Sequence, residues 1–442
     1  MIIHYIKLTV FFALIACCPI HCADLNHTSP PTSFVQDTKD QYLQFSIGKA
    51  MHTRRISEID RLSKERGTPE EEALAKEIAG NAPDYTCGDT HEASIRFFIE
   101  SHFGPASSSL YCVAEDRIGK REFVFIDKEN EIVVKVFPQI PKHYFKIIHE
   151  LSGHQAFREL NLAQAGMAEF LRLGKYSLNG VDYLLLAMTF VKGEEIRKFF
   201  APVYSAGGPA EKQEAIDDLK KIFYLLGTVM GEAHSRGKMK ASPSADHTEA
   251  VMQSYTLAAG KLIDKYKEAD RENSEMAERI WENFITISSQ YDTGPVYFAP
   301  SHGDAHLGNF LYDKASEKIT VIDSVRAHLS VDSEDLPISD SYSYDCVRIE
   351  DSIIKGILTY ENDVDLIQEL IGTFRQGYEI SAGDIMNQSH FELNRFLRTL
   401  KQYVSTFKWK TEDDLVKRES LRRMHAYYEG MLCNAVALLA IH

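Results

Sequence analysis

Apolar residues recur along this chain at two spacings, and the change from one to the other divides it. Gln41 to Arg66 is helical in composition, and Thr68-Pro69-Glu70-Glu71 reads as a capping box with proline in the first turn, opening a second helix to about Ala79. Glu92 to His102 predicts a short amphipathic helix closed by Gly104-Pro105. The period then shortens. Leu110 to Ala114, Glu122 to Asp127 and Ile132 to Phe137 are β-branched and aromatic runs, the last two joined by the polar turn Lys128-Glu129-Asn130-Glu131, so an antiparallel sheet is expected. A helix over His143 to Leu162 and a strand over Tyr183 to Phe190, ending at Lys192-Gly193, follow. Beyond them the spacing is helical over Ala210–Ser235, a long stretch Gln253–Ser289, Ile349–Thr359, Val364–Gln376, Phe391–Phe407 and Glu419–Ala440. Only Val296 to Arg326, rich in loop residues and short strands, interrupts it.

This order predicts an α+β protein with a sheet-dominated first half and a helix-dominated second half, joined near residue 191. The expected divisions are a leader over 1–23, a helical N-terminal extension over 24–85, a sheet lobe over 86–190 and a helical lobe over 191–442. No internal repeat or low-complexity tract appears. With 442 residues, 44% hydrophobic and 26% charged, the chain is globular rather than disordered, collagenous or coiled-coil. Lys plus Arg number 49 against 64 Asp plus Glu, a net charge of −15, which sets an unfavourable field against any polyanion and excludes nucleic acid as the expected partner.

The N-terminus has the shape of an export signal. Lys7 precedes the apolar run Leu8 to Cys18, and the chain turns polar from Asp24. That run is too short to cross roughly 30 Å of hydrocarbon as a helix, and no later segment is longer, so no transmembrane segment is expected in the mature chain. Leu14-Ile15-Ala16-Cys17 also resembles a bacterial lipobox, which makes a lipid anchor on Cys17 the alternative to a secreted product. Outside the leader, Cys87, Cys112, Cys346 and Cys433 are scattered without CxxC or histidine pairing, so a structural zinc site is not supported; two disulfides and four packed thiols both stay open. Asn26-His27-Thr28 and Asn387-Gln388-Ser389 match the glycosylation sequon.

The chemistry concentrates in Ser301-His302-Gly303-Asp304-Ala305-His306-Leu307-Gly308-Asn309, followed after a hairpin by Ile322-Asp323. Two carboxylates and an amide are thereby placed on neighbouring loop and strand ends. Phosphoryl transfer needs little more: an acceptor hydroxyl held in line, and hard cations to neutralise phosphate charge. His-Gly-Asp-x-His-x-Gly-Asn with the spaced Ile-Asp resembles the signature of the aminoglycoside phosphotransferase and choline kinase-like group, relatives of protein kinases. The resemblance implies a protein kinase-like bilobal fold, with ATP and Mg²⁺ as cofactors. It makes Asp304 the catalytic base, Asn309 and Asp323 the metal ligands and His302 a brace for the loop; His306 either orders the loop or touches phosphate or substrate.

Other segments fit the same reading. Lys135 interrupts the apolar strand Ile132–Phe137, which is costly unless its ammonium meets an anion; an ATP phosphate is one such anion, and an exposed edge position is the plainer alternative. Glu150, fifteen residues on, has the spacing of the family's helix glutamate that pairs with this lysine, and Glu159 is the rival. Met188-Thr189-Phe190-Val191 resembles the hinge, with the Thr189 carbonyl and Val191 amide as partners for adenine and Met188 behind the ring. No GxGxxG precedes the first strand; Ser107, Ser108 and Ser109 occupy that place, where hydroxyls and amides can cradle phosphate. Leu226-Gly227 with Ala233-His234 resembles the family's helix ending in a structural histidine, and Tyr344-Asp345-Cys346 the acid that pins the segment after the metal-binding Asp. The resemblance spans about residues 100 to 350. The expected activity is transfer of the ATP γ-phosphoryl group to a hydroxyl of a small molecule, an amine-bearing alcohol suiting the acidic stretch Glu361–Asp365, which also reads as a solvated face. An exported protein kinase or effector and a nucleotide-binding pseudokinase are the rival readings.

Overall fold

The computed structural model describes residues 69–113, 123–139, 151, 154, 157–236, 239–241, 245–270, 274–289, 296–323, 328–331, 342–383 and 388–433, all in one compact unit. The leader, Cys17, the helix over 41–66, Thr68, Glu150, most of the helix over 143–162, the first sequon and Asn387 of the second lie outside the described residues.

A five-stranded antiparallel sheet forms the first half, in the order β1-β2-β3-β6-β5, from β1 (Tyr111–Cys112), β2 (Phe123–Asp127), β3 (Ile132–Pro138), β5 (Phe170–Leu178) and β6 (Val181–Thr189). The strands β2, β3 and β6 fall where their side chains predict. β5 is additional, and its signal was in the sequence: Asn179-Gly180 sits between two apolar runs, with φ of 53° and 75°, the conformation of a two-residue hairpin turn. Alternation on β3 separates two cores. Ile132, Val134 and Val136 face α2 (His91–Glu100), packing with Ile95, Phe98 and Ile99. Phe137, with Leu184 and Leu186 of β6, joins Leu74, Ala75 and Ile78 of α1 (Pro69–Asn81) on the other side. Helix α2 begins where Thr90 Oγ1 accepts from the Ala93 amide at 3.1 Å, a cap that satisfies one of the orphan donors of the first turn.

After β6 the short strand β7 (Glu194–Glu195) leads into helices α3 (Phe200–Ser205) and α4 (Pro209–Ser235). The predicted long helix over 253–289 is instead two, α5 (Ala245–Ala269) and α6 (Ser274–Ser289). A single helix of that length would run about 55 Å. Broken, it turns Tyr255, Ala259 and Ile263 and also Ile280 and Phe284 into one core. Strand β8 (Met239–Ala241) pairs with β9 (Val296–Ser301), which pairs with β12 (His328–Val331). The hairpin of β10 (Phe310–Asp313) and β11 (Lys318–Val321) joins β7 on one side and, in parallel, β4 (Ala165–Met167) on the other. Helices α7 (Tyr342–Leu358), α8 (Val364–Ala382), α9 (Gln388–Thr406) and α10 (Leu415–Cys433) complete the described chain. Helix α7 starts seven residues before the predicted Ile349, because Tyr342, Ser343 and Tyr344 bury their side chains and carry the helix without an apolar stripe. This is the bilobal α+β arrangement expected.

Helices α4 and α8 touch backbone to backbone. A Cβ on Gly227 would lie 2.1 Å from the Phe374 carbonyl oxygen, and one on Gly377 would lie 2.1 Å from that of Tyr224. The crossing therefore needs glycine on both helices. Cys87, Cys112 and Cys433 are free thiols, and Cys346 is buried in the helical core. Among the described residues no helix is long and apolar enough to cross a membrane.

Candidate active site

Strand β9 delivers the chain into the loop that carries His302, Asp304 and Asn309, and buried polar groups hold that loop from below. The Asp345 carboxylate, in the first turn of α7 and fully buried, accepts from the Ser301 hydroxyl at 3.0 Å, the His302 amide at 2.6 Å and the Gly303 amide at 2.9 Å. It pins the chain over 301–303, ahead of Asp304, whereas the resemblance placed this acid on the segment after Asp323. His234, at the end of α4, hydrogen-bonds the Tyr378 hydroxyl through Nδ1 at 2.9 Å and sets Nε2 3.5 Å from Asp345.

His302 braces the loop from inside. Its Nδ1 accepts from the Asp304 amide at 3.2 Å, which leaves the proton on Nε2 to donate to the Ile322 carbonyl at 3.1 Å. Burial, outweighing the nearby carboxylates, holds its pKa below the ordinary imidazole value and keeps this tautomer neutral. The His306 Nδ1 accepts from the Gly308 amide at 3.1 Å, a loop-ordering bond, while Nε2 stands 3.9 Å from Asp304 Oδ2. Burial again lowers its pKa, with Arg348 and Arg197 adding to the effect and Asp304 opposing it.

The β10–β11 register brings Asn309 and Asp323 together. Phe310 pairs with Val321, and one step further the Ile322 amide donates to the Asn309 carbonyl at 2.9 Å, so Asp323 emerges beside the Gly308–Asn309 end of the loop. Asp323 has φ 54°, in the left-handed region that aspartate tolerates better than most residues. Asn309 is buried; its amide nitrogen donates to the Asp304 carbonyl at 2.9 Å, which turns its side-chain oxygen away from that carbonyl. From the sheet half, Lys135 Nζ donates to Asp323 Oδ1 across 188 residues of sequence. Strand β3 lies between β2 and β6, so Lys135 is on an inner strand and not at an edge.

Lys135, Asp304, Asn309 and Asp323 thus belong to one connected set. The other expected residues are placed differently. Ser107 is buried: its amide donates to Asp127 at 3.0 Å and its hydroxyl accepts from the Ser109 amide at 2.9 Å, so it stabilises the loop's own turn. Ser108 and Ser109 are exposed. Met188 is buried at the end of β6, opposite Val133, and Thr189 donates its amide to the Glu169 carbonyl at 2.9 Å. Val191 packs against the sheet core.

One residue of the set went unnoticed in the sequence. Arg348, one helical turn beyond Asp345, ion-pairs with Asp304 Oδ1 while its side chain is largely buried. The available signal was its i+3 spacing from Asp345, which puts both on the face of α7 turned to the loop.

No family model and no curated protein matches the chain. Solved structures do align with it. A glucosamine kinase in complex with glucosamine, ADP and inorganic phosphate matches over 76% of this chain and 83% of its own, at 11% identity and a TM-score of 0.49. The apo form of a thermostable mutant of aminoglycoside phosphotransferase APH(4)-Ia matches over 78% of this chain and 100% of its own, at 13% identity and 0.45. The streptomycin–ATP–APH(2″)-IIa ternary complex matches over 78% and 99%, at 13% identity and 0.41. At such scores and identities these likenesses transfer no activity to this chain.

Proposed function

We propose that the chain is a phosphotransferase that moves the γ-phosphoryl group of ATP, with Mg²⁺, to a hydroxyl of a small molecule. The Lys135–Asp323 contact carries this reading: it joins a cation from an apolar strand to a carboxylate at the end of the loop that holds Asp304 and Asn309. An ammonium on an inner strand, a hard-oxygen pair and a positioned carboxylate are what phosphoryl transfer asks of a protein.

Asp323 and Asn309 would hold the metal. Among the described residues no cluster of three His, Cys, Asp or Glu side chains could bind an ion unaided. Two hard oxygens still fit Mg²⁺, which keeps several waters and takes its remaining ligands from phosphate. When bound it would neutralise charge on the β- and γ-phosphates. Lys135 would turn from Asp323 to the α- and β-phosphates. Asp304, held on Oδ1 by Arg348, presents Oδ2 to the acceptor. The acceptor oxygen bonds to the γ-phosphorus as the bond to the β–γ bridging oxygen breaks, ADP leaves with that electron pair, and the hydroxyl proton passes to Asp304. His302 and Asp345 keep the loop rigid while this happens.

ADP release measured against a panel of sugars, amino alcohols and proteins tests the reading. Asp304→Asn should lower turnover by about 10²-fold or more with nucleotide affinity retained; full activity in that variant would remove Asp304 from the chemistry. Turnover on a protein alone would favour the exported-kinase reading, and nucleotide binding without any turnover the pseudokinase. Export through residues 1–23, or retention by a lipid on Cys17, stands beside it as a proposal, checked by the mass of the mature N-terminus.

A further inference from the structure

A cavity of about 770 Å³ lies between α8 and α10, floored by α7 and closed at one end by α9. No residue lining it comes from the 302–323 region that carries the site above. Its walls are unusual for a chain of net charge −15. Five guanidinium groups, Arg375, Arg395, Arg398, Arg422 and Arg423, line it against three carboxylates, Glu350, Asp351 and Glu419. Adding the charged neighbours just behind the wall, Lys355 on Asp351 and Glu392 on Arg395, keeps the surplus at two positive charges.

The pairing inside the cavity explains where that surplus sits. Asp351 is over-matched: the one buried carboxylate accepts from both Arg398 and Lys355, and from the Tyr428 hydroxyl at 2.6 Å. Glu350 is matched: Arg375 at 2.7 Å and Arg395 at 3.3 Å converge on it, but Arg395 also pairs with Glu392 at 3.2 Å, so two guanidinium groups face two carboxylates. At the other end Glu419 faces both Arg422 at 3.7 Å and Arg423 at 3.8 Å. At Asp351, and again at Glu419, two cations thus share one carboxylate. Excess cation next to low-dielectric walls is costly, and an anion is the ligand that removes the cost. Guanidinium forks match phosphate and carboxylate oxygens in pairs. Much of the remaining wall is apolar or aromatic, from Val347, Ile354, Ile371, Tyr427 and Met431, with Asn362, Gln368 and Thr399 as its uncharged polar groups. The volume is that of a small-molecule site.

The geometry points to a binding site for a small organic anion, a phosphate ester or carboxylate carrying an apolar group, seated between α8 and α10. The site stands apart from the phosphoryl-transfer reading and is independent of it.

Two glycines make the test clean. Gly372 of α8 and Gly430 of α10 both line the cavity, and a Cβ on either meets nothing within 4 Å, so a large side chain there fills the space without removing a charge. Binding of phenyl phosphate, phenylacetate and neutral benzyl alcohol to the full chain would be measured by calorimetry without nucleotide. The wild type should bind at least one of the anions with a sub-millimolar Kd that weakens with added salt. The tighter of the two then names the headgroup. Gly372→Phe and Gly430→Phe, with unchanged melting curves, should each lose at least tenfold in affinity, and the exposed Arg422→Ala several-fold; Lys135→Ala should bind as the wild type does. The proposal fails if neither anion binds, if benzyl alcohol binds equally well, or if both glycine variants retain full affinity. Loss in Lys135→Ala alone would place the anion in the nucleotide cleft and likewise overturn it.

Discussion

Asp345 offers the sharpest test of how the loop is held. Replacing it by alanine removes one fully buried carboxylate and leaves three donors facing the gap: the Ser301 hydroxyl and the amides of His302 and Gly303. The hydroxyl can rotate to another acceptor, whereas the two amides are fixed by the chain. A buried donor stripped of its partner costs about 1–3 kcal/mol, so the two amides together set an expected loss of about 2–6 kcal/mol, a large share of an ordinary domain's stability. Asparagine keeps one acceptor oxygen but turns an NH₂ toward a donor, and should lose roughly half as much. Urea unfolding of the three proteins, followed by tryptophan fluorescence and circular dichroism, gives the differences directly. ADP release by the still-folded Asp345→Asn protein should fall with them, because Gly303 sits at φ 75° immediately before Asp304 and relaxes without its anchor. An alanine variant that loses under about 1 kcal/mol and keeps its turnover would refute the reasoning.

Gly227→Ala and Gly377→Ala should each destabilise the chain by about 3 kcal/mol or more, since the added methyl meets a backbone carbonyl that has nowhere to go; combining them should bring no compensation, as melting temperatures would show. Arg348→Ala should lower kcat by about tenfold or more with nucleotide affinity unchanged, the loss expected when a general base is no longer held in place; a rise in kcat would instead identify the Arg348–Asp304 pair as a lock on the site. Stability should fall as pH drops below about 6.5, because burial depresses the pKa of His91, His302, His306 and His425, so the unfolded chain binds protons there that the folded chain does not. Melting temperatures at pH 7.5 and 5.5 check the sign, and His302→Gln should flatten the slope by up to about one proton's share.

Local patterning determined more of this protein than its helix boundaries suggest. The apolar run Ile132–Phe137 fixed a strand and flagged Lys135 as the residue out of place, while the sheet order made that strand an inner one. The spacing of Asp304, Asn309 and Asp323 anticipated a loop and hairpin, because a hairpin of fixed register has only one way to bring its two ends together. Turn chemistry at Asn179-Gly180 carried the β5–β6 hairpin as well, although the polar interruptions of β5 hid the strand.

Tertiary structure alone decided the rest. Where the 253–289 stretch breaks depends on which core its two apolar faces share, a choice that its helical spacing does not make. That Asp323 is Lys135's neighbour, that Arg348 holds Asp304, and that five arginines from three helices meet in one cavity are contacts between segments tens to hundreds of residues apart. A sequence records the charge of each such group and its local period. Only packing sets the distance between them, and at a few ångströms' separation in a buried site that distance decides whether a charge is a cost or a ligand site.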